Sequence, residues 1–481
     1  MNPTELLLQS YYAAVAAADP LKIVPAHLPR PAKGKTLVIG AGKAAASMAK
    51  AVEDAWHKVE ALAAPQSAVG ALAAPQSPVG ALAAPQSPGT SIEGLVITRY
   101  AHGYSGSEAL KRIRVVEAGH PVPDESGEAA AREIMQRVQA LGPDDLLLAL
   151  VSGGGSSLLA LPVESISMDD LKATTRELLR CGAPIQDMNV VRKHLSLIQG
   201  GKLAAMCKAP IVSLVISDVT GDEPTHIASG PTVPDPSTYQ DALDILAKFE
   251  CRVPASVRTH LDAGARGDIA ETPKPGSPVF ARAETHVIAT AHQSLEAAAQ
   301  VFRDAGVTAV ILGDTVTGEA REVGKVHAAI AREILAYGQP FKRPVALISG
   351  GECTVTLKQG GRGAATGASG TVATQAGAPG ERPPARGGRC TEYLLSLAIE
   401  MNGAPGVYGL AADTDGIDGS EANAGAHFGP DALKTLGAQG LRADKLLEAN
   451  DAWGFFDKAG TLINTGPTRT NVNDYRVILL T

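Results

Sequence analysis

Thr36-Leu37-Val38-Ile39-Gly40-Ala41-Gly42-Lys43-Ala44-Ala45 decides how the rest of this chain is read. An apolar run stops at two glycines, and a lysine opens an alanine-rich segment: strand, tight turn, helix start. Backbone N–H groups at such a turn, together with the helix dipole, favour an anion. Lys43 adds a full positive charge at the same place. A phosphoryl group, a carboxylate and a dinucleotide pyrophosphate each satisfy the motif taken alone.

Composition narrows the choice. At 481 residues the chain exceeds what one core usually serves, so two domains are expected. Apolar residues at 45% and charged residues at 19% describe an ordinary soluble globular protein. A net charge of −7 argues against a nucleic-acid or anionic-membrane partner, so local charge must hold any anion. Cys181, Cys207, Cys251, Cys353 and Cys390 are scattered, with no C-x-x-C pair. That points away from a disulfide framework or zinc knuckle and fits a reducing cytoplasm. No basic leader accompanies Glu5 and Asp19, and the uncharged run 146–163 is interrupted by three glycines, so neither a signal peptide nor a membrane span is expected.

A helical apolar period over 2–18 predicts a docking helix. Strands over 36–39, 94–98, 114–117, 145–151 and 211–217 alternate with helices over 126–141, 169–179 and 195–207. This alternation predicts a mostly parallel sheet with right-handed crossovers. Polar, proline-rich sequence within 238–282 reads as a connection, after which a second βα series opens with a strand over 285–289. Residues 61–91 repeat an Ala-Leu-Ala-Ala-Pro-Gln-Ser unit that is too short to bury a face, and 364–385 is rich in Gly, Ala, Thr and Pro. Both read as disordered insertions. The expected architecture is α/β: a Rossmann-like doubly wound domain over 1–237, a connection over 238–282 and a second α/β domain over 283–481, with the active site in the cleft between them.

Chemistry-bearing residues fall at the predicted strand ends. Gly40-x-Gly42-x-x-Ala45 is similar to a dinucleotide fingerprint. The second strand, however, ends in Thr98-Arg99, where a ribose-binding carboxylate would stand. Ser152-Gly153-Gly154-Gly155-Ser156-Ser157 reads as a phosphate cradle without the Gly-Lys-Ser/Thr of a Walker loop. Arg192 and Lys193 are adjacent cations, one of them expected on a solvated helix face; Lys193 is the binding candidate. Asp218 and Asp222 carry the oxygen ligands that Mg²⁺ prefers. Ser349-Gly350-Gly351-Glu352, Gly387-Gly388-Arg389, Asp413-Thr414-Asp415 and the loop holding Asn471 and Asn473 repeat the pattern in the second half. Such loops on both sides of a cleft suit phosphoryl transfer, in which an arginine can stabilise spreading charge.

In order along the chain, Gly40-Ala41-Gly42-Lys43-Ala44-Ala45, Gly119-His120-Pro121-Val122-Pro123-Asp124, Ser152-Gly153-Gly154-Gly155-Ser156-Ser157, Val191-Arg192-Lys193-His194-Leu195-Ser196, Ser217-Asp218-Val219-Thr220-Gly221-Asp222 and Thr465-Gly466-Pro467-Thr468 resemble the class II glycerate kinase family. These are glycerate 2-kinases whose C-terminal domain is called MOFRL, and the resemblance spans nearly the whole chain outside the two insertions. It implies ATP-dependent phosphorylation of D-glycerate at its 2-hydroxyl with a divalent cation such as Mg²⁺, giving 2-phosphoglycerate and ADP. It also implies Lys43 and Arg389 as the catalytic pair. Cys390 departs from the asparagine that follows this arginine in the family, and the insertion splits the preceding glycine loop, leaving Gly361-Arg362-Gly363 as a competitor.

Substrate and nucleotide contacts are expected from Gly40, Gly42, Ser152, Gly153, Gly154, Gly155, Ser156, Ser157, Lys193, His120, Asp124, Gly350, Gly351, Glu352, Asn471 and Asn473. Asp218, Asp222, Asp413 and Asp415 are the metal candidates. The alternatives are an NAD(P)H-dependent hydroxypyruvate reductase, a label often given to this family, and a non-enzymatic sugar-acid sensing module. The missing ribose carboxylate stands against the first, although Arg99 in its place suits an NADP 2′-phosphate, and the lack of a DNA-binding segment or basic patch stands against the second. A homo-oligomer is left open.

Overall fold

The computed structural model describes residues 2–63, 91–357 and 385–481, so both stretches read as insertions fall almost wholly outside the described residues. The first sheet contains β1 (Thr36–Ala41), β2 (Ile92–Arg99), β3 (Ile113–Ala118), β4 (Leu146–Val151), β5 (Ile211–Ile216) and β6 (Ala283–Ala289). All are parallel, in the order β3-β2-β1-β4-β5-β6. Every residue of β1 and β4 is buried, as near-continuous apolar runs require when helices cover both faces. On one face Leu37, Ile39 and Leu147 meet Ala131, Ile134 and Val138 of the helix Glu125–Gln139. On the other, Val38, Leu148 and Leu150 meet Met48, Val52 and Trp56 of the helix Ala45–Ala63. Strand order reverses between β1 and β4, the position at whose carboxyl end open α/β sheets bind their ligands.

The remaining strands are β7 (Thr308–Gly313), β8 (Gly318–Glu319), β9 (Val345–Ser349), β10 (Cys353–Thr354), β11 (Val407–Asp413), β12 (Gly425–Phe428), β13 (Leu462–Ile463) and β14 (Asp474–Leu480). Six form a mixed second sheet, β13-β12-β11-β14-β9-β7, while β8 and β10 pair separately. Helices Ala320–Tyr337 and Arg389–Met401 share a core with one of its faces through Ala328, Ala331, Leu394 and Leu397. The helix Pro3–Ala17 packs Leu6, Leu7 and Tyr11 with Leu295 and Phe302 of the helix Ala291–Asp304 against Ile348 and Tyr475 on the other.

Three sequence expectations change. The strand expected to open the second half is β6, which pairs with β5 in the first sheet. The supposed connection 238–282 contains helices Tyr239–Lys248 and Ala255–Ala265, whose Tyr239, Leu246, Val257 and Leu261 pack on Leu178, Met188 and Val191. Its polar residues had hidden helical apolar faces. The helix expected over 195–207 is two helices, Ile185–Leu195 and Lys202–Met206. Gly200 (φ +63°) and Gly201 (φ +78°) separate them in a left-handed conformation that favours glycine. No helix among the described residues is long and apolar enough to cross a membrane.

Candidate active site

The turn after β1 is closed tightly onto the loop after β4. A Cβ at Gly42 (φ +136°) would collide with Ser152, which is why this position is glycine. The turn's amides are already used: Gly42 N donates to Ile97 O (3.1 Å), Lys43 N to Gly153 O (2.9 Å) and Ala44 N to Ser152 Oγ (3.0 Å). The turn therefore offers no free backbone cradle, only the Lys43 side chain, and Ser152 serves the start of the helix. Free amides lie one loop away. The N–H groups of Gly153 and Gly154 have no intramolecular partner among the described residues, and Gly154 (φ +80°) gives this loop the bend of an anion nest.

Lys43 and Arg389 converge on one acidic strand end. Lys43 Nζ is 2.6 Å from Asp415 Oδ2, with both side chains buried, and Arg99 Nη1 stands 3.7 Å from the same oxygen. Asp415 N donates to Asp413 Oδ1 (3.0 Å), and Arg389 Nη2 donates to Asp413 Oδ2 (2.6 Å). Arg389 Nε reaches Asp474 Oδ1 at 2.8 Å, and Arg476 Nη2 holds Asp474 Oδ2 at 2.6 Å. Burial opposes the Lys43 ammonium, yet Asp415 and Asp413 outweigh it and raise its pKa. Burial likewise opposes ionised Asp415, and Lys43 reverses the sign, holding that carboxyl well below its usual range. Asp413 moves upward through burial and the neighbouring Asp415 charge.

Asp218 follows β5 and is gripped from the second half of the chain. Asn471 Nδ2 donates to its Oδ2 (3.1 Å), and Asn473 Nδ2 donates to its backbone oxygen (2.8 Å). Burial and the Glu352 charge push Asp218 up to about 6. Asn471 Oδ1 is buried without a hydrogen-bond partner among the described residues. His120 lies so close to Gly154 that a Cβ there would sit 2.8 Å from its Nε2, and its Nδ1 is also buried, with no partner among the described residues. Burial, then the Lys43 and Arg99 charges, pull its imidazole down to about 3, keeping the ring neutral.

The metal candidates separate. Asp413 and Asp415 are spent on Arg389 and Lys43. Asp222 (φ +54°) has no side-chain partner among the described residues and joins none of these contacts. Among the described residues no three His, Cys, Asp or Glu side chains form a ready cage. Asp218, Glu352, which stands only loosely paired 3.6 Å from Arg389 Nη1, and the orphaned Asn471 Oδ1 are the less committed oxygen donors, a sparse set that fits a cation such as Mg²⁺, which keeps waters and phosphate ligands.

Several expected ligand contacts have structural duties. Lys193 pairs with buried Asp235 (3.2 Å) and donates to Thr225 Oγ1 (2.7 Å). Asp124 caps the helix Glu125–Gln139 by accepting from Gly127 N (2.9 Å), and also accepts from Gly119 N (2.8 Å). Gly350 and Gly351 present their carbonyls to Arg476, at 2.9 and 3.0 Å. At the start of Arg389–Met401, Asp418 occupies the anion position, accepting from Cys390 N (3.0 Å) and Thr391 N (2.8 Å). Sequence reasoning passed over Asp474, Arg476 and Asp418 as site residues. The signal for the first two was Asp474-Tyr475-Arg476, alternate residues at the start of a strand and hence on one face.

Residues 6–262 match the family model described as Domain of unknown function (DUF4147), and residues 367–474 match the MOFRL family. A relative from Agrobacterium vitis, provisionally named a hydroxypyruvate reductase, is 43% identical over 481 residues, covering 100% of this chain and 95% of its own. The glycerate 2-kinase of Pyrococcus horikoshii is 36% identical over 495 residues, covering 100% of this chain and 98% of its own. The crystal structure of a glycerate kinase from Thermotoga maritima matches with a TM-score of 0.76 at 33% identity, covering 99% of each chain.

Proposed function

The chain belongs to the DUF4147–MOFRL glycerate kinase family, and on that premise we propose that it transfers the γ-phosphoryl group of ATP to the 2-hydroxyl of D-glycerate. The observation that carries this reading is the convergence of Lys43 and Arg389, from the two halves of the chain, on Asp413 and Asp415. Their acidic partners hold both cations in position before substrate arrives, so little reorganisation is needed when charge develops on the phosphoryl group. The free Gly153 and Gly154 amides take phosphate oxygens. Asp218, with its raised pKa, accepts the hydroxyl proton and is oriented for this by Asn471. Glu352 and Asn471 Oδ1 would hold Mg²⁺ beside it, where the ion would offset nucleotide phosphate charge. Scattered thiols and the demand for ATP support a cytoplasmic enzyme.

The first sheet's strand order is also that of dinucleotide-binding folds. Against a reductase stand the occupied amides after β1 and Arg99, which faces Asp415 where a ribose carboxylate would be needed. Incubating the protein with D-glycerate, ATP and Mg²⁺, then adding enolase, tests the reading. Product consumed directly by enolase is expected. NADH oxidation with hydroxypyruvate, without enolase-competent product, would replace the kinase with the reductase.

A further inference from the structure

Arg192 sits in the last turn of the helix Ile185–Leu195 and has no carboxylate partner among the described residues. Its neighbour Lys193 is fixed to Asp235, while Arg192 lines a cleft with Ser156, Ser157, Thr175, Ser196 and Gln199. The cleft is therefore built on the same loop as the Gly153–Gly154 nest. Arg192 Nη1 donates to Asn189 Oδ1 at 3.3 Å, and Asn189 Nδ2 is itself anchored on His226 O at 3.0 Å. Ser229 Oγ lies within hydrogen-bond distance of both Asn189 Oδ1 (3.2 Å) and Ser156 Oγ (2.9 Å). Ala228 (φ +50°) and Ser229 (φ +57°) are consecutive non-glycine residues in the left-handed region, so backbone strain is spent to bring Ser229 there.

Burial pulls the Arg192 guanidinium down to about 10, with no anion offsetting it. Arg192 is half-buried, and a cation partly withdrawn from water with no counter-ion among the described residues carries a cost that an arriving anion relieves. His120 packs on Gly154 of the loop this cleft shares with the nest, and its Nδ1 is buried with no hydrogen-bond partner among the described residues.

Given the kinase reading, we infer that Arg192 holds the carboxylate of D-glycerate and that His120 Nδ1 meets a hydroxyl of the same molecule. The planar guanidinium fork matches a carboxylate in two-pronged geometry. The nest and Lys43 serve the nucleotide phosphates, leaving Arg192 for the single charge of the acceptor acid. Asn189 acts through Arg192 and is a positioning residue.

The test combines steady-state kinetics with calorimetric binding of D-glycerate. Arg192→Met should raise KM for D-glycerate about 100-fold and Arg192→Lys about 10-fold, with KM for ATP unchanged. In the wild-type enzyme, D-lactate should compete with D-glycerate, whereas glycerol, which lacks the carboxylate, should not; this arm needs no variant to fold. A rise in KM for ATP with that for D-glycerate unchanged would assign Arg192 to the nucleotide and overturn the inference. Competition by glycerol as strong as by lactate would also overturn it. Wild-type protein that binds D-glycerate but forms no product sinks the kinase reading alone, and loss of that binding in Arg192→Met still upholds the subsite. Wild-type protein that neither binds nor phosphorylates D-glycerate sinks both.

Discussion

Asp415 Oδ2 is shared by two cations of the first sheet, Lys43 at 2.6 Å and Arg99 at 3.7 Å, although it stands at the end of a strand of the second. Removing Lys43 therefore has two separable effects. Lys43→Met should lower kcat by about 1,000-fold, the scale of a lost transition-state contact. It should also cost stability, because breaking a buried pair strands its partner at about 3–5 kcal/mol. Adding Asp415→Asn should restore much of the urea midpoint and none of the turnover. Recovery of activity in the double variant would reduce Lys43 to a structural residue.

Arg389 divides its guanidinium between Asp413 and Asp474, a geometry that a lysine ammonium cannot copy. Arg389→Lys should reduce kcat by about 100-fold in the enolase-coupled assay. Arg362, which lies outside the described residues, is the rival in the sequence. Arg362→Ala should leave kcat unaltered, and the reverse pattern would move the catalytic arginine to the other side of the insertion.

A pH profile reports on Asp218. With its carboxyl pushed up to about 6, the base form is lost as pH falls, so kcat/KM should rise with pH through that value and level off above it. The stability sign is opposite. A carboxyl whose folded pKa lies above its unfolded value favours the protonated native state, so its contribution declines as pH climbs from about 4 to about 6. Asp218→Asn should abolish the acid limb and most activity, while unfolding at neutral pH becomes no easier. Persistence of the limb in that variant would assign it elsewhere.

Glu352 acts on Asp218 through charge and stands 3.6 Å from Arg389 Nη1. Glu352→Gln should move the acid limb to lower pH, because the charge that raises Asp218 is gone. If Glu352 also helps to hold Mg²⁺, the variant should need about 10-fold more of the cation for half-maximal rate. EDTA should silence both proteins, with Mg²⁺ restoring them. A shifted limb with unchanged Mg²⁺ dependence would leave Glu352 only its electrostatic role.

Lys193→Met provides the contrast to Arg192. It strands buried Asp235, and the urea midpoint should fall sharply while KM for D-glycerate and ATP stay as in the wild type. An increase in either KM would return Lys193 to the binding site.

These assignments mark where sequence stops informing. The strand, glycine turn and lysine at 36–43 were legible because local pattern determines them, and so was the Ser152–Ser157 turn. Lys193 and Arg192 were not distinguishable, since adjacent helical residues differ in facing and only the fold brings Lys193 to Asp235 and Arg192 to the cleft beside Ser156 and Gln199. Asp124, Ser152 and Asp418 satisfy backbone amides at helix starts, and the residue types that do so are also those that hold ligands. Membership of β6 in the first sheet depends on pairing with β5 about 70 residues earlier, a long-range choice that no local period encodes.

The helix Pro3–Ala17 has a consequence for how the molecule is made. Its apolar face rests on Ala291–Asp304 and the second sheet, so it is made about 270 residues before even the first part of the surface it covers. At about 5–20 residues per second that interval is on the order of half a minute, during which Leu6, Leu7 and Tyr11 have no native partner. The first sheet can be completed in that time as a contiguous stretch of chain. Native assembly of the second must wait for both ends, making its late closure the step at which nascent protein most needs protection from aggregation.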